Sequence, residues 1–258
     1  MGFRTTDFSA LAKFNSAVSS ELLTKYEDFL QQQVLEKLKK ESSRTFAPSS
    51  FRCPRKSWFR LRGVEKDTLA HVDLTLEYTA EVGTARHVTI QSNLQAMLKD
   101  DWIDVQTYLL EHPIAYKYTC EQSGYETKIT ILNPPVSFAC DGIIRLNGEY
   151  YLLEIKTCEK SAFDRLSGPK DVHLDQIKCY STLLGISKVI FIYEERQFGE
   201  HKVFEASVAD FEKTAILDSM QEIMLAVETH LAPAKVSGAW SDYMCKNCEY
   251  SKKCREWG

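Results

Sequence analysis

No uncharged apolar run in this chain approaches the ~18 residues that a membrane-spanning helix requires, so no such helix is expected. The first residues carry Arg4, Asp7 and Lys13 and no apolar stretch of the kind a secretory leader needs. Positive charge is not in excess. Lys and Arg total 32 against 36 Asp and Glu, leaving −4 at pH 7. No global field therefore draws the chain to nucleic acid, and any such binding must come from local patches. No Gly-x-x-x-x-Gly-Lys-[Ser/Thr] loop occurs, which excludes a P-loop ATPase or helicase motor. There is no internal repeat and no low-complexity tract. The eight cysteines are not spread like a disulfide framework: three crowd the C-terminal end and Cys53 stands alone. That distribution points to metal-held thiolates in an intracellular, cytoplasmic protein rather than to secretion.

What remains is an ordinary globular composition. The 258 residues, 44% hydrophobic and 26% charged, suffice for one large domain or two small ones. The chain is organised around residues 139–157, ACDGIIRLNGEYYLLEIKT. Asn147-Gly148 is a strong hairpin signal, because a two-residue type I′ turn needs positive φ at both positions. Its flanks are rich in Ile, Leu and Tyr, as strands prefer. Counting outward from the turn, each step back along one strand is a step forward along the other, so Asp141 comes opposite Glu154. Opposed residues have Cβ atoms ~5 Å apart on one face, and Lys156 shares that face. Two carboxylates so placed repel unless a proton or a cation intervenes. Two readings stand at this point: a cross-strand salt-bridge ladder, or a site for a hard cation such as Mg²⁺ or Mn²⁺.

Around this hairpin the apolar spacing predicts helices over 19–41, 76–98, 102–111, 171–184 and 209–231. The first carries a stripe from Leu22 and Leu23 to Leu38 and reads as a packing helix. Alternation predicts strands over 114–120 and 125–132, joined at Ser123-Gly124 and ended by Asn133-Pro134-Pro135. The apolar run 189–193 reads as a buried strand parallel to that of Glu154, and 201–206 as an edge strand. Residues 42–50 and 159–170 read as polar loops, and 233–238 as a linker.

Residues 51–63, FRCPRKSWFRLRG, hold Arg52, Arg55, Lys56, Arg60 and Arg62 and no acid. Basic residues interleaved with aromatics suit single-stranded nucleic acid. Trp58 and Phe59 read instead as core residues of a short helix, while the cations read as a phosphate-facing surface. Near the end, Cys245-x-x-Cys248 and Cys254 place three thiolates within reach of one centre, and Cys53 is the natural fourth ligand. The spacing alone leaves zinc and iron–sulfur both open. Cys120, Cys140, Cys158 and Cys179 fall inside predicted strands or helices and read as small buried hydrophobes.

Asp141, twelve residues, then Glu154-Ile155-Lys156 resembles the PD-(D/E)XK nuclease superfamily. Gly83-x-x-x-His87 is similar to the first motif of its RecB-like branch, in which the histidine is a metal ligand. Gln176-x-x-x-Tyr180, after the Glu-x-Lys strand, is similar to a further motif of that branch. One early cysteine followed by the late trio resembles the iron–sulfur RecB-like nucleases, a group that includes CRISPR-associated exonucleases and their phage and archaeal relatives. Cys140 stands where the superfamily's name has proline, a departure common in it. The resemblance runs over residues 51–258.

It implies an α/β fold, with a central mixed sheet flanked by helices like the restriction-endonuclease core, over 51–232. A helical segment (1–50) would precede it, and a cysteine segment (233–258) would close on Cys53. It implies Mg²⁺ or Mn²⁺ on His87, Asp141, Glu154 and the carbonyl of Ile155, with Lys156, Gln176 and Tyr180 assisting. Cys53, Cys245, Cys248 and Cys254 would hold a [4Fe–4S] cluster. The activity implied is DNA cleavage, most simply exonuclease action on single-stranded ends, with a helicase or a CRISPR integration complex as partner. The alternative is a zinc-stapled, non-catalytic DNA-binding subunit of a recombination or repair complex.

Overall fold

Alternating apolar residues lay down two sheets, joined by a single residue. The computed structural model describes residues 17–39, 43–67, 74–238, 244–246 and 248–257. The strands are β1 (Trp102–Ile103), β2 (Tyr118–Ser123), β3 (Glu126–Leu132), β4 (Pro135–Cys140), β5 (Gly142–Leu146), β6 (Glu149–Cys158), β7 (Lys188–Glu195) and β8 (His201–Ser207). The helices are α1 (Ala17–Lys39), α2 (Pro54–Leu61), α3 (Leu74–Leu98), α4 (Val105–Glu111), α5 (Lys160–Asp164), α6 (Asp171–Leu184), α7 (Asp210–Glu228) and α8 (Ser251–Glu256). Strands β2-β3-β4 form an antiparallel sheet, and β1-β5-β6-β7-β8 a mixed one. The fold is thus α/β, with a central mixed five-stranded sheet flanked by helices. Among the described residues no helix is long and apolar enough to cross a membrane.

The central hairpin turns as its sequence dictates. Asn147 and Gly148 take φ of 52° and 79°, the left-handed pair a type I′ turn demands. Leu146 opposes Glu149, and the register runs without a slip to Gly142 opposite Leu153. Strand β7 is parallel to β6 and is reached through α6, while β8 is the outer strand beside β7. Gly185, at φ 76°, ends α6 in the left-handed conformation favoured there. Alternation along β6 splits its side chains between two layers. Leu153 and Ile155 pack with Ile90 of α3, while Leu152 joins Phe191, Ile177 and Leu183 in the main core.

Several segments depart from what local pattern suggests. Residues 133–135 do not end the preceding hairpin but turn it into β4, which takes residues 139 and 140 away from the central hairpin. The supposed polar loop before Cys53 supports this strand. Phe46 is fully buried, accepts from the Ser137 amide at 3.1 Å and donates to Pro135. The helix expected over 102–111 begins only at Val105, because Asp104 caps it by accepting from the Thr107 amide at 2.7 Å. The loop after β6 contains α5, and the carbonyls of Phe163 within it and of Leu166 just past it accept from Lys202 Nζ at 2.8 and 3.0 Å. Helix α1 buries Val34 but leaves Leu22, Leu23, Tyr26 and Phe29 exposed. Lys37 ties it to α3 through the carboxylates of Glu77 and Glu81.

Candidate active site

Asp141 is the one residue between β4 and β5, and so between the two sheets. Each ladder supplies it with a neighbour. The β5–β6 register, continued one step past Gly142–Leu153, sets Asp141 opposite Glu154. The β3–β4 register, continued past Thr127–Cys140, sets it opposite Glu126. Asp141 is buried, and three contacts fix it. Its Oδ2 accepts from the Ile155 amide at 2.7 Å. Its backbone carbonyl accepts from Nε2 of the fully buried Gln91 at 2.7 Å. Its Oδ1 lies 3.5 Å from His87 Nδ1. In a strand a residue's N–H and C=O point to the same edge. The carbonyl of Ile155 therefore also faces the edge where β5 has stopped.

Helix α3 brings His87 over this junction. Gly83, one turn earlier, lies against β6: a Cβ added there would sit 3.4 Å from Thr157 Oγ1. Arg86, adjacent to His87, pins the helix to β7 by donating to both oxygens of the buried Glu194 at 2.7 and 2.8 Å. The donors of His87, Glu126 and Asp141 all lie within 4.8 Å of one another, and among the described residues no other group of three His, Cys, Asp or Glu donors does so. Burial works against a charged His87, but the neighbouring Asp141 carboxylate outweighs it and holds the imidazole above its ordinary value. Burial, then the Asp141 charge, pushes the Glu126 carboxyl up.

Glu154 is 1% exposed and forms an ion pair with Lys156 Nζ. Burial, reinforced by Asp141 and opposed by Lys156, pushes its carboxyl up to about 7. Beyond it stands Tyr180 of α6, stacked on Phe138 with ring centres 4.7 Å apart. Gln176 Nε2 donates to the Tyr180 hydroxyl at 2.6 Å. Burial, with the charge of Glu154 adding, holds that phenol well above its ordinary value. The structure therefore gathers Asp141, Glu154, Lys156, Ile155, His87 and the Gln176–Tyr180 pair around one junction. It adds Tyr193, which pairs with Lys156 in the parallel register. Its hydroxyl accepts from the Lys170 amide at 3.0 Å and lies 2.7 Å from His173 Nδ1. Burial, then the charges of Lys156 and Lys170, pulls His173 down to about 3, so this imidazole is neutral.

Sequence reading missed Glu126, Gln91, His173 and Tyr193. Only Glu126 had a usable signal. Had β4 been recognised, counting back from the turn at residues 133–134 would have set Glu126 opposite Asp141. The other three are marked by tertiary contact alone.

The basic segment is not the phosphate-facing surface its composition suggested. Arg55 is buried and donates to the carbonyls of Pro233 at 3.2 Å and Trp257 at 2.9 Å. Arg52 pairs with Asp175, and Lys56 pairs with Glu249 at 2.8 Å. Arg60 donates to Thr45 O at 2.8 Å and Ser43 Oγ at 2.9 Å. Arg62 lies 4.9 Å over the Trp58 ring. These cations have partners inside the protein: the C-terminal segment takes Arg55 and Lys56, α6 takes Arg52, and the loop before α2 takes Arg60. Trp58 and Phe59 are fully buried, as their core reading requires.

Cys53, Cys245, Cys248 and Cys254 line one cavity of about 480 Å³, with Arg55, Lys56 and Lys246 also on its wall. No three of the four sulfurs lie within 4.8 Å of one another. Burial pushes the Cys53 thiol up, and the nearby Cys254 and Cys245 add to it. Cys140, Cys158 and Cys179 are buried elsewhere, while Cys120 on β2 is only half-buried.

No family model matches the chain, and no curated protein matches it by sequence. Several solved structures resemble it at a distance, among them the following three. SSO0001 superposes with a TM-score of 0.48 at 15% identity, over 88% of this chain and 94% of that one. An alkaline exonuclease from Laribacter hongkongensis, LHK-Exo, gives 0.44 at 11% identity, over 86% and 100%. LHK-Exo in complex with dAMP gives 0.39 at 13% identity, over 80% and 85%. Likenesses this remote carry no argument, and the functional reading rests on the site.

Proposed function

We propose that this chain is a metal-dependent DNA nuclease, acting as an exonuclease on single-stranded ends. One observation carries the reading. His87 of α3 lies 3.5 Å from Asp141 at the junction between the sheets, and the Glu154–Lys156 pair of β6 stands beside them, Glu154 opposite Asp141 in the register. The donor set fits a hard divalent ion: two carboxylates, an imidazole and the Ile155 carbonyl, which suits Mg²⁺ or Mn²⁺. Bound there, such an ion supplies Lewis acidity, making a water more acidic and neutralising charge on a phosphodiester.

The protein's own groups do the rest. Asp141 is held rigid by the Ile155 amide and Gln91, so its free oxygen has a fixed direction. Lys156 is placed by Glu154 to orient a water or to donate to a phosphate oxygen as negative charge develops. Tyr180, kept protonated by burial and steadied by Gln176, walls the site and offers an O–H donor. The resemblance of these motifs to RecB-like nucleases supports DNA as the substrate.

In the same reading the four cysteines hold a [4Fe–4S] cluster. The four line one cavity of about 480 Å³, and the likeness of their order along the chain to the iron–sulfur RecB-like nucleases favours the cluster over a single zinc. Iron and sulfide analysis checks this. Zinc with no iron would return the zinc-stapled alternative.

Digestion of end-labelled single- and double-stranded DNA with Mn²⁺ tests the activity. The protein should shorten single strands from an end. Asp141→Asn, Glu154→Gln and Lys156→Ala should each lose about a hundredfold or more. A protein that digests neither substrate defeats the proposal, and variants that digest normally remove the site.

A further inference from the structure

We propose that Glu126, delivered by the three-stranded sheet, is a ligand of the same ion. This rests on the metal reading above and adds a carboxylate that the Asp-to-Glu-x-Lys pattern does not contain. Asp141 ends one ladder and begins the other, and a carboxylate stands opposite it in each: Glu154 across β5–β6 and Glu126 across β3–β4. Opposed side chains start ~5 Å apart, and neighbouring carboxylates repel unless a proton or a cation lies between them. On the Glu154 side Lys156 supplies the cation directly.

On the Glu126 side the nearest cation is His87, and it stands farther off. His87 Nδ1 is 4.0 Å from Glu126 Oε1 and 3.5 Å from Asp141 Oδ1, longer than an ordinary N–H···O hydrogen bond. The Glu126 carboxylate has no hydrogen bond among the described residues. Three donors from α3, β3 and the inter-sheet junction thus ring a common point without bonding one another closely, all within 4.8 Å. A divalent ion at that point would relieve the repulsion and use all three. An imidazole among carboxylates favours Mn²⁺, which accepts nitrogen beside oxygen ligands, over Mg²⁺, which keeps its waters.

Mn²⁺ binding to the full chain, without DNA, tests this. Free Mn²⁺ is followed by its electron paramagnetic resonance signal in wild type, Glu126→Gln and Asp141→Asn. Glu126→Gln should bind Mn²⁺ about tenfold more weakly or worse. Without metal it should melt no lower than wild type, since a repelling charge has been removed; a structural Glu126 would do the reverse. Unchanged affinity in Glu126→Gln, with binding lost in Asp141→Asn, overturns the role of Glu126 and leaves the metal site standing. A metal-free melting temperature below wild type also overturns it. Wild type that binds no Mn²⁺ brings down both.

Discussion

At the scale of residues, the candidate site depends on neighbours that carry no chemistry. Gly142 follows Asp141, and a Cβ there would lie 2.9 Å from the ring of Trp102. An aromatic ring packed beside a strand cannot move aside cheaply. Gly142→Ala should therefore cost about 1–3 kcal/mol, seen as a lower thermal midpoint, and Mn²⁺ affinity should fall with it because Asp141 shifts. The chemical residues were largely legible in the sequence, since Asp141, Glu154 and Lys156 follow from counting along one hairpin. The cations from Arg52 to Arg60 were misread for a physical reason. A basic string has the same composition whether it faces solvent or caps carbonyls such as those of Pro233 and Trp257.

At the scale of elements, the two-residue turn at Asn147-Gly148 made the β5–β6 register readable, and the β6–α6–β7 crossover followed from handedness. Strand β4 was not readable, because Asn133-Pro134-Pro135 looks like an ending and its outer support, Phe46, is remote in sequence. Missing that strand hid Glu126. The position of α3 was equally hidden, since it depends on Arg86 reaching Glu194 across the sheet. Arg86 and, more weakly, His201 hold the Glu194 carboxyl below its ordinary 4.5 despite burial. A carboxyl held low in the fold takes up its proton more readily when unfolded. The stability it lends is therefore full above that range and drains away as pH falls through the folded value. Arg86→Met should lose about 1–2 kcal/mol at pH 7, the pair being partly exposed on the arginine side. In urea titrations its gap from wild type should narrow below pH ~4.5. A gap that is constant with pH would show that Arg86 acts through packing alone.

At the scale of the whole molecule, α2 and the C-terminal segment are one unit. Arg55 donates to Trp257, Trp58 and Trp257 meet edge to face at 5.3 Å, and Phe59 stacks on Tyr250 at 5.3 Å. The four cysteines singled out in the sequence line one cavity, but the buried arginine and aromatic contacts around it were not legible there. Replacing Arg55 by Ala leaves two carbonyls without their donor and should cost about 2–3 kcal/mol; if the cavity holds the proposed cluster, iron content should fall with it. Cys53→Ser should lower iron as far as Cys248→Ser does, whereas Cys179→Ala should keep it; normal iron in Cys53→Ser would remove Cys53 from the ligand set. The shared cavity also has a consequence in time. During synthesis Cys53 emerges long before its three companions, and both sheets are made in the interval. A chain broken off before Cys245 keeps only Cys53 of the four, so no group that needs all of them could be held there.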